Sequence, residues 1–172
     1  MHPRQSGAHA VQVMLCWLCG NGQAMVHYGS VLPMDPPLEP AAYPFAIEVR
    51  ARFAETDAMG VVHHSSYLAW LESARVEYLR SIGHPYLEVR ASGLDFAVID
   101  AALRYHRPVV FDELVTVFVG FGAMTRASFR MNYLLTVDGE RRTSAQTGHA
   151  AVDAHTGELR RLPSWLVERA RA

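Results

Sequence analysis

Residues 53–78 read FAETDAMGVVHHSSYLAWLESARVEY, and the second half of this stretch decides the fold. Its apolar side chains recur three or four residues apart, which is the spacing of one face of a helix. The residues on this face are Tyr67, Leu71, Ala74, Tyr78 and Ile82. Gly83 and then Pro85 are typical of the end of a helix. The sequence therefore predicts one long helix from about His64 to Ile82.

Asp57 lies a few residues before this helix. The first turn of a helix has unpaired backbone N–H groups and the positive end of the macrodipole, and both favour a negative charge nearby. Gly60 between them allows a positive φ or a close approach of a ligand to the backbone. An Asp in this position is also a common helix cap. A carboxylate beside hydrogen-bond donors nevertheless offers two of the parts that acyl transfer requires.

The flanking sequence predicts strands. Residues 43–54 alternate between apolar and polar side chains, as in a half-buried strand that leads towards Asp57. Glu55 would share the side of Asp57 if this strand stayed extended. After a polar loop up to Gly93, four more strands are expected at 96–106, 114–121, 127–137 and 141–152, and a short helix follows Pro163. An antiparallel sheet covered by a single apolar helix is an α+β fold.

Two ordered motifs carry a family resemblance. Residues 57–68 read DAMGVVHHSSYL, residues 72–79 read ESARVEYL, and residues 103–114 read LRYHRPVVFDEL. This pattern closely resembles the hot-dog-fold acyl-CoA thioesterases of the 4-hydroxybenzoyl-CoA thioesterase and YbgC type. The resemblance implies a hot-dog fold, an antiparallel five-stranded sheet wrapped around one long helix. The likeness covers roughly residues 45–165, and the domain is expected at residues 43–172. Residues 1–42 lack clear periodicity and are expected to be an N-terminal extension that is disordered or follows a mis-assigned start.

The resemblance also implies an activity, the hydrolysis of acyl-CoA to a free carboxylic acid and CoA. It assigns the catalytic carboxylate to Asp57, as general base or nucleophile, and assigns polarisation of the thioester carbonyl to the backbone N–H of His64. The residues expected to bind substrate are Gly60, Val62, His63, Tyr67 and Arg126. Arg126 lies where relatives place basic side chains for the phosphates of coenzyme A. The alternative is a non-catalytic acyl-thioester binding or accessory module that acts on an acyl carrier protein.

No cofactor is expected beyond the coenzyme A that is part of the substrate. A metal is not predicted, because the adjacent His63 and His64 should splay apart at a helix start and no HxxxH or HExxH motif accompanies them. Cys16 and Cys19 form a lone CxxC without the further ligands of a zinc site. Two cysteines provide no disulfide framework, which favours a cytoplasmic location.

The composition and charge of the chain limit the kinds of partner that are expected. The 172 residues are 50% hydrophobic, enough to bury the core of one domain, and the net charge of −1 argues against binding to nucleic acid or an anionic membrane. No apolar run is long enough to span a bilayer. Because one helix cannot cover every face of such a sheet, a homodimer or homotetramer is expected.

Overall fold

The computed structural model describes residues 11–13 and 34–170 of the chain. The strands are β1 Val11–Val13, β2 Phe45–Arg50, β3 Leu94–Tyr105, β4 Leu114–Met124, β5 Ser128–Val137 and β6 Glu140–Asp153. The helices are α1 His64–Ser81, α2 Tyr86–Ala91 and α3 Ser164–Arg169, with 3₁₀ turns at Pro40–Ala42 and Phe53–Glu55. Cys16 and Cys19 lie outside the described residues.

All strand pairs are antiparallel, and the order across the sheet is β1-β3-β6-β5-β4-β2. The five strands β2 to β6 and the single long helix α1 form the predicted hot-dog fold, which is confirmed. β1 belongs to the predicted N-terminal extension and pairs with β3, with Val11 opposite Leu103. The extension therefore contributes a short strand to the edge of the sheet.

Helix α1 begins at His64 as predicted and ends at Ser81. Its buried residues are Tyr67, Trp70, Leu71, Ala74, Arg75, Tyr78 and Leu79. Four residues of the expected stripe are among them, and the fifth, Ile82, follows the end of the helix and is partly buried. At its end Gly83 takes a φ of +84°, and the N–H of His84 donates to the carbonyl of Leu79. This is the left-handed glycine cap that the sequence indicates. Among the residues that the structure describes, no helix has the length and apolar character needed to cross a membrane.

Two local expectations were wrong. The predicted loop before Gly93 contains the short helix α2, which buries Val89. The strand expected at 43–54 ends at Arg50, and Phe53 is 75% exposed. The chain turns there because the N–H of Glu55 donates to the carbonyl of Arg52, which closes a 3₁₀ turn, and the Glu55 carboxylate accepts from the N–H of Arg52.

The core contains a polar cluster between α1 and the sheet. His149 of β6 is 0% exposed, and its Nε2 lies 2.7 Å from the Thr147 hydroxyl, which contacts the Tyr133 hydroxyl at 3.1 Å. Nη1 of Arg75 lies 3.2 Å from Nδ1 of His149. Burial lowers the pKa of His149 well below its ordinary value, and the positive charges of Arg75 and Arg130 lower it further. His149 is therefore neutral in the folded protein at neutral pH.

Truncating the centre of the helix face should cost stability. Leu71 is buried in the main core cluster, so Leu71→Ala should lower the free energy of unfolding by about 2–5 kcal/mol. Leu87 of α2 is 78% exposed, and Leu87→Ala should change the free energy of unfolding by less than about 0.5 kcal/mol. Urea denaturation of both variants tests this difference, and equal losses would contradict the assigned packing of α1.

Acidification should destabilise the protein through His149. Below its ordinary pKa of about 6.5, an unfolded histidine binds a proton that buried His149 does not bind, so the free energy of unfolding should fall by up to ~1.4 kcal/mol per pH unit. The variant His149→Gln should lose the His149 part of this slope between pH 7 and pH 5, while the smaller part from His106, whose pKa is also lowered, remains. The control His155→Gln, in an exposed turn, should keep both parts. Denaturation midpoints across this pH range provide the measurement, and an unchanged slope in His149→Gln would refute the assignment.

Candidate active site

A tight turn presents Asp57. The N–H of Asp57 donates to the carbonyl of Val61 at 2.9 Å, and the N–H of Gly60 donates to the carbonyl of Asp57 at 2.9 Å. One carboxylate oxygen of Asp57 accepts from the N–H of Met59 at 2.8 Å, as aspartate often does two residues ahead of itself. Gly60 has a φ of +75°, which glycine adopts without strain. The turn holds the carboxylate at the surface of the domain with Oδ1 bound to the backbone.

Backbone pairing fixes this turn against a second loop. Thr56 and Val62 form an isolated bridge across the turn, and Val61 pairs with Val110 in the loop after β3. The N–H of Val62 also donates to the carbonyl of Val109 at 2.8 Å. The loop of the first sequence motif, which precedes α1, therefore contacts the loop of the second motif, which follows β3.

Glu55 is a positioning residue that the sequence did not identify. It is 8% exposed and accepts hydrogen bonds from the Arg52 guanidinium at 2.7 Å and from the Trp70 indole N–H at 3.1 Å. Burial raises the pKa of Glu55, but the hydrogen bonds from Arg52 and Trp70 outweigh it and hold the pKa below the ordinary value. Because the chain turns at 53–55, Glu55 faces the helix and does not share the side of Asp57. The local signal is the spacing of Arg52 and Glu55, three residues apart, which suits a capping box.

The start of α1 leaves one donor unused. His63 caps the helix through Nδ1, which accepts from the N–H of Ser65 at 3.4 Å, and the N–H of Ser66 donates to the carbonyl of His63 at 3.0 Å. Within the part of the chain that the structure describes, no hydrogen bond engages the N–H of His64. An unpaired first-turn donor that also gains from the helix dipole can bind an oxyanion.

The histidine pair does not splay apart. The ring centroids of His63 and His64 lie 3.9 Å apart with the planes tilted by 39°, so the expectation was wrong. His63 is extended at the cap position, which allows the two rings to pack together. Across residues 34–170, no group of three or more His, Cys, Asp or Glu side chains has an arrangement that could hold a metal ion.

A pocket of about 330 Å³ opens between the Asp57 turn, the start of α1 and the end of β3. Its lining residues are Asp57, Val61, Val62, His64, Tyr67, Tyr105, His106, Arg107 and Pro108. The structure thus brings together four of the residues predicted from sequence, Asp57, Val62, His64 and Tyr67. Gly60 and His63 adjoin the pocket as the turn and the helix cap.

Arg126 lies elsewhere. It is exposed in the turn between β4 and β5. The neighbouring Ser128 pairs with Ala150, which pairs with Ala97 of β3. Ala97 is eight residues from Tyr105 at the pocket, or about 26 Å along an extended strand. Within one chain, Arg126 is therefore at the opposite end of the sheet from Asp57.

The wall opposite Asp57 comes from the second motif, whose individual side chains had been given no role. Arg142 of β6 holds this loop in place, because its guanidinium donates to the carbonyl of Pro108 and to the Glu113 carboxylate, both at 3.0 Å. The other Glu113 oxygen accepts from the N–H of Val110 at 2.8 Å. No local sequence pattern links Arg142 to this loop.

The titratable side chains of the pocket differ in charge. Burial raises the pKa of Tyr67 to about 12, so its hydroxyl stays protonated. Burial lowers the pKa of His106, and the nearby Arg141 and Arg104 lower it further, so this imidazole is neutral at neutral pH. Its Nε2 lies 3.0 Å from the Ser144 hydroxyl. These two side chains are polar and uncharged, Asp57 supplies a carboxylate, and Arg107, which pairs with Glu140, supplies a cation.

Comparison with known proteins yields relatives with the same fold. A structure of a hypothetical protein from Aquifex aeolicus is similar with a TM-score of 0.70 and 33% identity, covering 74% of this chain and 99% of that one. A thioesterase from Thermus thermophilus, solved in complex with coenzyme A and Zn, is similar with a TM-score of 0.66 and 28% identity, covering 76% and 99%.

In sequence, the acyl-CoA thioester hydrolase YbgC of Escherichia coli O6:H1 is 34% identical over 73 residues, which are 42% of this chain and 54% of that protein. This match agrees with the resemblance seen in the two motifs. Residues 51–170 match the family model described as Thioesterase-like superfamily. The chain therefore belongs to the thioesterase-like superfamily.

Proposed function

We propose that this protein is an acyl-CoA thioesterase that hydrolyses acyl-CoA to a free carboxylic acid and CoA. The observation that carries the proposal is that Asp57 and His64 line one pocket and that no hydrogen bond among the described residues engages the N–H of His64. Membership of the thioesterase-like superfamily supports thioester hydrolysis as the reaction class. The name of the YbgC relative and the coenzyme A complex of the Thermus relative support acyl-CoA as the substrate.

In the proposed reaction, the thioester carbonyl lies between these two groups. Asp57 either removes a proton from the attacking water or attacks the carbonyl carbon itself to form a mixed anhydride that water then opens. Met59 and Gly60 hold the turn so that one oxygen of Asp57 is engaged by the backbone and the other is available. CoA leaves as the thiol after it takes up a proton.

The carbonyl oxygen becomes negative when the carbon is attacked. We assign its stabilisation to the N–H of His64, a donor that is held rigid by the helix and gains from the helix dipole. The neutral Tyr67 and His106 line the same pocket and leave Asp57 as its negative charge. In this arrangement the main chain of His64 does the catalytic work, and its imidazole does not.

The other expectations stay predictions. They are the absence of any cofactor beyond the coenzyme A of the substrate, the cytoplasmic location, the homodimer or homotetramer, and the contact of Arg126 with coenzyme A phosphates. Since Arg126 is at the far end of the sheet within one chain, such a contact would have to form in an oligomer.

Replacing the carboxylate should abolish most of the activity. Asp57→Asn keeps the acceptor for the N–H of Met59 but cannot act as base or nucleophile, so kcat should fall by roughly 10²–10⁴-fold. His64→Ala keeps the backbone N–H, so kcat should fall by less than about 10-fold. Thiol release from a panel of short, long and aromatic acyl-CoAs measures both variants.

Two results would change the assignment. Equal losses in Asp57→Asn and His64→Ala would indicate a direct role for the imidazole. No thiol release by the wild type above the Asp57→Asn background, together with a rise in Tm on adding acyl-CoA, would favour the alternative of a binding module without turnover.

The conformation of Gly60 should matter for activity beyond its effect on stability. An added Cβ at Gly60 meets nothing within 4 Å, so Gly60→Ala should cost only the strain of its φ of +75°, about 1–2 kcal/mol. The same change at Gly157, with a φ of +73° and equally open space, should cost as much. Only Gly60→Ala should lower kcat/KM, because only Gly60 shapes the turn that carries Asp57. Equal kcat/KM values in two variants of equal Tm would contradict the role of the turn.

A further inference from the structure

A second cavity, of about 170 Å³, lies between α1 and β3. It is close to the candidate active site on both elements. In α1, Tyr67 lines the first pocket and Leu68 lines the second cavity. In β3, Tyr105 lines the first pocket and Ala101 lines the second cavity. The register of β3 against β6 shifts between Val98 and Asp100, and this irregularity forms part of the cavity wall.

The inner wall of this cavity carries a buried positive charge. Arg75 is 8% exposed, and its hydrogen-bond partner within the described residues is His149, whose neutral ring offers one acceptor nitrogen to Nη1. No carboxylate among those residues lies within 4 Å of the Arg75 guanidinium. Asp100 also lines the cavity, but it forms its ion pair with Arg130. Residues 1–33 contain no aspartate or glutamate. Glu72, the remaining acidic residue of the lining, is an exposed residue of α1 three positions before Arg75.

This charge needs a partner. An arginine keeps its proton at any physiological pH, and His149 is neutral, so His149 does not compensate it. A buried charge without a counter-ion is costly, and the cost is recovered when an anion binds. Guanidinium groups bind carboxylates through two parallel hydrogen bonds. Tyr133 and Thr147 line the same cavity, with their hydroxyl groups in contact with each other and that of Thr147 in contact with His149. Burial keeps the Tyr133 phenol protonated with a pKa of about 12.

We propose that this cavity binds a carboxylate at the far end of the acyl group, so that the protein prefers thioesters of dicarboxylic acids. This inference rests on the proposed thioesterase function and names the substrate class of the same site. Arg75 is the specificity-determining residue, and the Tyr133 and Thr147 hydroxyls complete the polar wall. A thioester of a simple fatty acid leaves Arg75 without a partner and is the poorer substrate.

The dimensions indicate which diacids fit. His64 and Arg75 are eleven residues apart, or about 16 Å along the helix axis. The arginine side chain leans back towards the helix N-terminus, which shortens the span. The cavity is slightly larger than one of about 150 Å³ that holds benzene, so it admits a compact end group. Adipyl and suberyl chains should therefore suit the site better than the short succinyl chain.

The test compares matched substrates in the full chain. The kcat/KM values of adipyl-CoA and hexanoyl-CoA, and of suberyl-CoA and octanoyl-CoA, are measured for the wild type, Arg75→Met, Arg75→Lys and Arg80→Met. The wild type should prefer the dicarboxylyl member of each pair by roughly 10–100-fold, the worth of hydrogen bonds to a charged group. Arg75→Met should reduce the ratio to about 1 or below, and Arg75→Lys should retain part of it, since an ammonium keeps the charge without the paired hydrogen bonds.

The ratio is robust to loss of folding, because both substrates of a pair are hydrolysed by the same folded fraction. Arg80 belongs to the same helix, is exposed, and pairs with Glu77, so Arg80→Met should keep the wild-type ratio. A wild type without preference for either dicarboxylyl-CoA, or an unchanged ratio in Arg75→Met, would overturn the inference and leave the thioesterase function standing.

Direct binding separates the two proposals. Calorimetric titration of the Asp57→Asn protein with adipyl-CoA and hexanoyl-CoA needs no turnover. If the wild type hydrolyses no thioester, the proposed function is wrong. The carboxylate inference is then supported if adipyl-CoA binds more tightly than hexanoyl-CoA and Arg75→Met removes the difference, and it is overturned otherwise. Tighter binding of free adipate than of adipyl-CoA would mean a site for a free acid and would overturn the assignment to the acyl end.

Discussion

The burial of one face of α1 against the sheet determines where every functional group lies. The apolar stripe from Tyr67 to Leu79 is anchored in the main core cluster, so the helix cannot slide or rotate without exposing it. His64, in the first turn of α1, lines the same pocket as Asp57, and Tyr67 of the same turn is buried in the core. A rigid donor at the end of a well-packed helix is suited to catalysis, because it does not reorganise when charge develops on the substrate.

Two carboxylates that do not take part in the proposed chemistry build the pocket around this helix end. Glu55 joins the strand-to-helix connection to α1 through Trp70, and Glu113 joins the opposite loop to Arg142 of β6. Each carboxylate accepts hydrogen bonds on both oxygens, from a backbone N–H and from a side chain. Asp57 differs from both, because within the described part of the chain its carboxylate accepts a hydrogen bond only from the N–H of Met59, and Asp57 lines the pocket.

The polar cluster inside the core contrasts with this surface arrangement. Arg75, His149, Thr147 and Tyr133 are polar, yet each is buried. His149 satisfies its hydrogen bonds as a neutral ring, which leaves the charge of Arg75 to the adjacent cavity. A charge retained at this cost in a core is more readily explained by recognition than by stability.

The sequence by itself determined the long helix with its glycine cap, the succession of strands along the chain, the family and the position of Asp57 shortly before α1. These features follow from local periodicity, from turn residues and from two contiguous motifs, all of which are written within short stretches of the chain. Local pattern failed where a side chain overrode it, as when Glu55 closed a 3₁₀ turn and exposed Phe53. Only the tertiary structure decided that Arg142 supports the opposite wall, that Arg126 lies at the far end of the sheet and that Arg75 faces a cavity without a carboxylate partner. These are contacts between residues up to 74 positions apart, as between Arg75 and His149, and they exist only once the strands have paired.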